Sequence, residues 1–172
     1  MFRRLRKNGS VFLVPLAWTF VTAAHLDLVA RETVLVAHVV MTTVFVLFTA
    51  ASWSEMRSGV LYAWKLVLVT GTGFTLVGLA ALVAAPAYTE PVAAMLSAWM
   101  LVPAAAYVYT ARNVAPDEGP PVYRLAAALS VLGWVVYFLG PLLSGSGLPF
   151  IAGLTLVNVG QTVGIAYAGY RY

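Results

Sequence analysis

No cysteine occurs in these 172 residues, which removes disulfides, thiolate metal sites, iron–sulfur clusters and a cysteine nucleophile together. Charge is scarce as well. Charged residues make up 9% of the chain and hydrophobic residues 62%, whereas a soluble globule carries about 25% charge. Lipid is the solvent this composition fits. Acids are the rarer sign, 6 against 10 lysines and arginines, for a net charge of +4. The cations fall between apolar runs, so membrane topology accounts for them and a nucleic-acid partner is excluded. Also missing are a phosphate-binding glycine loop followed by lysine and a helical two-histidine-plus-glutamate zinc motif. Ser146, within Ser144-Gly145-Ser146-Gly147, lacks the rest of a serine-nucleophile motif and reads as a turn. Lys65 lies too near the end of its segment to serve as a retinal Schiff base.

Long apolar runs are what the chain does have. Segments at about 11–29, 33–53, 60–85, 91–111, 122–143 and 148–170 each approach the roughly 20 residues that cross a bilayer. The pattern predicts an all-α integral membrane protein: a single-domain, six-transmembrane-helix bundle, multi-pass in the cell membrane, with the lipid bilayer as its first partner. The first run continues past the small residues Val21-Thr22-Ala23, which favours a span over a cleaved leader. With the N-terminus inside, Arg3, Arg4, Arg6, Lys7, Arg57, Lys65, Arg112, Arg124 and Arg171 all fall at the cytoplasmic side and only Arg31 outside. The positive-inside rule therefore predicts an N-in/C-in topology.

Both histidines, His25 and His38, flank a reversal placed at Ala30-Arg31-Glu32-Thr33. As an antiparallel hairpin of packed helices, these two segments would hold the histidines at matched depth, each about 9 Å below the outer surface. Trp18, Thr22 and His25 share one helical face, and His38, Thr42, Phe45, Thr49 and Ser52 another. A polar stripe in lipid turns toward protein, because an unsatisfied polar group in hydrocarbon is costly. The expectation is a polar cluster opening outward between the first, second and sixth helices.

Three readings follow. His25 and His38 are candidate ligands for a cofactor, b-type haem or a divalent metal, in a redox system. Haem requires the two helices to splay, since tightly joined helices pack about 8–10 Å apart. A metal requires Glu32 or Glu90 as the third ligand, Asp27 pointing away from His25. Alternatively, the chain is a small permease or proton-coupled transporter, with a polar path drawn from Thr22, Thr42, Thr49, Lys65, Asn158, Gln161 and Thr162, and with Thr72, Ser130, Tyr137 and Thr155 among the residues that continue it. The third reading is an accessory subunit of a larger complex or a homo-oligomer, docking through Gly160 and Gly164 of a Gly-x-x-x-Gly pattern. Lys65 is close enough to the cytoplasmic end to snorkel, and Pro103 is expected to kink the fourth helix.

Overall fold

The computed structural model describes residues 2–84 and 90–171, with the side chains of residues 2–10 outside that description. Among the described residues the chain is all-helical: α1 (Phe2–His25), α2 (Arg31–Ser52), α3 (Gly59–Ala84), α4 (Glu90–Asn113), α5 (Pro120–Ser144) and α6 (Leu148–Arg171), with a 3-10 turn at Pro116–Glu118. Five helices, α2 to α6, are long and apolar enough to cross a membrane, and the apolar part of α1, Val11–His25, is shorter. Such a set of helices makes this a multi-pass membrane bundle. The connector between the expected segments at 60–85 and 91–111 falls largely within residues 85–89, outside the described residues.

The first segment ends earlier than its hydrophobicity implies. Apolar residues continue to Val29, but α1 stops at His25. The N–H of Leu28 donates to Ala23 O at 3.0 Å and that of Asp27 to Ala24 O at 3.2 Å, while Asp27 adopts φ 55°. This is the left-handed helix stop, built on aspartate where glycine is usual. Asp27 is therefore a backbone device, and the reversal runs through residues 26–30 instead of Ala30–Thr33. Replacing it tests the point. Asp27→Gly is expected to leave thermal stability in detergent unchanged or slightly higher, while Asp27→Val lowers it by about 1–2 kcal/mol, the left-handed penalty of a β-branched residue. Equal melting of the two variants would reject this role.

Helices α2 through α6 pack in sequence order, each on the next, as short connectors between apolar helices dictate. Helix α1 breaks that order by packing on α6 rather than on α2. The packed helical hairpin expected of α1 and α2 is thus corrected. The reason is steric and chemical: α6 offers the apolar side chains Leu154 and Val157 and hydrogen-bonding partners to α1, while α2 turns toward α3 and α4, stacking Phe45 on Trp99 at 4.8 Å and bonding Arg31 to the Leu82 carbonyl of α3.

The closest pair is α5 and α6. A Cβ on Gly133 would lie 2.6 Å from the carbonyl oxygen of Gly153, and one on Gly153 would lie 2.6 Å from that of Gly133, so the two backbones touch with no side chain between. Further along α6, Gly160 faces Leu129 and the Ala126 carbonyl, and Gly164 faces the Tyr107 ring. Both glycines are buried. The Gly-x-x-x-Gly surface packs inside the bundle, where the same close approach serves helix packing within one chain.

Candidate functional site

Four of the tryptophans donate their indole N–H to a side chain on another helix. Trp18 of α1 donates to Gln161 Oε1 of α6 at 3.0 Å, Trp99 of α4 to Thr75 of α3 at 2.9 Å, Trp134 of α5 to Ser97 of α4 at 2.6 Å, and Trp64 of α3 to Thr110 of α4 at 3.3 Å. In lipid these ties take the place of water for the indole donor.

Gln161 is the hub. It is 4% exposed, and its Nε2 donates to Trp99 O at 2.9 Å. That carbonyl is four residues before Pro103, which lies inside α4 and has no N–H to give it. The proline frees an acceptor at the centre of the bundle, and the glutamine amide takes it. Tyr107 OH adds a bond to Gln161 O at 2.8 Å. Gln161 therefore holds α1, α4 and α6 together.

Of the other polar-path residues, Thr162 and Asn158 are joined to each other and the rest are dispersed. Thr22 and Thr42 donate to the carbonyls of Trp18 at 2.9 Å and His38 at 2.7 Å, the back-bonding usual for threonine in helices. Thr162 donates to Asn158 Oδ1 at 3.1 Å, and Asn158 reaches Thr19 at 3.4 Å. Thr49 Oγ1 is buried with no hydrogen-bond partner among the described residues. The Lys65 ammonium sits 4.2 Å over the Trp53 ring, directed back to the α2–α3 turn as snorkelling requires.

The histidines are not a matched pair. His25 ends α1 while His38 is seven residues into α2, about 10 Å further along a helix axis. Each makes a local bond, His25 Nδ1 to Val21 O at 2.9 Å and His38 Nδ1 to Val34 O at 2.8 Å. Among the described residues no group of three or more histidines and acids is placed to hold a metal, so His25, His38, Glu32 and Glu90 are not brought together. The early stop of α1 is the cause.

His25 instead meets α5. Its Nε2 lies 2.6 Å from Tyr137 OH, with the rings edge-on at 5.5 Å. The tautomer follows from the partners. A carbonyl only accepts, so Nδ1 carries the proton toward Val21 O, and Nε2 accepts the phenol O–H. Tyr137 is 4% exposed and is walled by Phe138 at 4.8 Å and Phe150 at 5.0 Å. On the other side of His25 the chain is open, with Leu26, Asp27 and Leu28 exposed. The pair thus joins a water-accessible turn to a buried phenol. A proton taken up at Nε2 reverses the hydrogen bond, the imidazolium becoming the donor and the phenol oxygen the acceptor.

The sequence marks His25 and Tyr137 singly but not as partners, since 112 residues separate them. The role of Trp18 and Trp99 was hidden as well; the available signal was Pro103, four residues after Trp99. No protein-family model matches this chain, nor does any curated protein or solved structure.

Proposed function

We propose that the protein is a small proton-coupled carrier of the cell membrane, with six spans and both termini cytoplasmic, in which His25 exchanges protons at the outer mouth and Tyr137 is its buried partner. The observation that carries this reading is the 2.6 Å bond from Tyr137 to His25 Nε2 beside an exposed turn. Charge distribution supports the orientation. Arg57, Lys65, Arg112, Arg124 and Arg171 share the end opposite His25, and Arg31 is the cation at the histidine end.

Internal-pH recording in proteoliposomes tests the reading, under an inward proton gradient and with a panel of small solutes. His25→Gln is expected to cut solute-dependent proton entry about a hundredfold, the lower range for a positioned proton-transfer group. Tyr137→Phe, which keeps the ring and removes the hydroxyl, should slow entry by a smaller factor. Equal entry in wild type and His25→Gln removes the reading.

A cofactor-binding redox component is the second reading, and one observation favours it: among the described residues His38 bonds through Nδ1 alone, which leaves Nε2 as the atom that would take a ligand. An absorption spectrum, oxidised and reduced, with metal analysis decides between them. A chromophore or stoichiometric metal lost in His38→Ala selects the second.

A further inference from the structure

The Tyr123 hydroxyl is buried with no hydrogen-bond partner among the described residues, and the residue is 1% exposed. An orphaned polar group of this kind is rare in a native interior and carries a cost that phenylalanine would not. Tyr107 is the contrast. Its ring stacks on that of Tyr123 at 6.3 Å, but its own hydroxyl is spent on Gln161 O.

Tyr123 is the fourth residue of α5, so its side chain runs back toward the helix start and the turn before it. The groups that face it there are Glu118 from the 3-10 turn and Tyr167 and Arg171 from α6. Tyr167 meets its ring edge-on at 5.8 Å and sets its own hydroxyl where a Cβ on Gly119 would stand. Arg171 donates to the Asp117 carbonyl and lies 3.8 Å from the Asp117 carboxylate. These contacts hold the turn down over Tyr123, while Pro116 and Asp117 on its outer side are exposed. Arg171 pairs with Asp117. Glu118 has no such cation among the described residues, and its Oε2 accepts the Ala115 N–H at 2.8 Å.

We propose that Glu118 and Tyr123 form the proton-exchange pair at the inner mouth of the carrier, the counterpart of His25 and Tyr137 at the outer mouth. The proposal rests on the carrier reading above. Both pairs set a titratable group on a water-accessible turn beside a buried phenol of α5. Tyr123 and Tyr137 are 14 residues apart on that helix, about 21 Å along its axis. Glu118 takes up and releases the proton. When it is ionised the phenol O–H donates to the carboxylate, and when it is protonated the carboxylic O–H donates to the phenol oxygen. Tyr123 keeps its own proton throughout. In this structure Glu118 rests on the Ala115 N–H and the phenol is unpaired, so the bond forms when the turn shifts.

The test is an infrared difference titration of the full chain in proteoliposomes, neutral against acidic buffer. The carboxyl band present in wild type and missing in Glu118→Gln reports Glu118; the glutamine still accepts the Ala115 N–H, which preserves the turn. That band is expected to shift in Tyr123→Phe, because the phenol no longer bonds to the carboxyl. An unshifted band overturns the pair. Melting supplies the structural control: Tyr123→Phe should melt at or above the wild-type temperature, since it removes an unpaired hydroxyl. In the internal-pH assay, proton entry should nevertheless fall about a hundredfold in Glu118→Gln and about tenfold in Tyr123→Phe, the scale of one charge-assisted hydrogen bond. Wild-type entry in both variants, with entry lost in His25→Gln, overturns the inner pair and leaves the carrier reading standing. Wild-type entry in His25→Gln removes the carrier reading instead, and the infrared band then decides alone: shifted, it keeps the pair as a proton-binding site; unshifted, it overturns it.

Discussion

Gln161→Leu is expected to lower the unfolding free energy by about 2–4 kcal/mol, because it strands two buried groups at once, each costing about 1–3 kcal/mol. The Trp18 indole N–H loses Oε1 and the Trp99 carbonyl loses Nε2. An interhelical hydrogen bond in a membrane averages only about 0.6 kcal/mol, so the size of the effect rests on the unpaired remainder and not on the bonds themselves. A double-mutant cycle isolates the proline. In Pro103→Ala the restored N–H of residue 103 has Trp99 O as its helical acceptor, so Gln161→Leu in that background strands only the Trp18 indole. Its cost is expected to fall by about 1–2 kcal/mol relative to the wild-type background. Reversible unfolding in mixed micelles measures all four corners, and additivity of the two substitutions would show that the amide does not serve the proline-vacated carbonyl.

Gly153→Ala is expected to destabilise the bundle by about 3 kcal/mol or more, at the upper end of overpacking effects. The new methyl would meet the Gly133 carbonyl at 2.6 Å and the Tyr137 backbone nitrogen at 2.7 Å. Backbone cannot swing aside like a side-chain tip, so α5 and α6 must separate. Because Tyr137 is on α5, the same separation should disturb its bond to His25, and proton entry is expected to fall together with stability. Gly73→Ala provides the contrast. A Cβ there meets nothing within 4 Å, and replacing a helical glycine by alanine stabilises by up to about 1 kcal/mol. Similar melting shifts of the same sign for the two variants would contradict the packing described for α5 and α6.

The number and extent of the helices were legible because a membrane imposes a length and an apolar composition that a window of residues displays directly. The expected segments at 60–85, 91–111, 122–143 and 148–170 differ from α3 to α6 by two residues or fewer at each end. Both boundaries of α1 were misjudged: the helix begins at Phe2 instead of 11, and it stops at His25 although residues through Val29 are mostly apolar, because Asp27 takes the left-handed conformation. Hydrophobicity cannot report a backbone dihedral. That four-residue difference moved His25 out of register with His38 and undid the matched pair.

Composition and periodicity by themselves determined that this chain dissolves in lipid as a helical bundle, and they singled out His25 and His38, with Asn158 and Gln161, as polar residues to be accounted for. Only the tertiary structure decided their partners: α1 on α6 rather than α2, His25 with Tyr137, Gln161 with the carbonyl that Pro103 leaves open, and Lys65 over Trp53. The physical reason is range. Solvent preference and helix formation act over a few residues along the chain, whereas a hydrogen bond between helices depends on which of several apolar faces meet, and small residues such as Gly153 and Gly160 settle that by how closely they let two backbones approach.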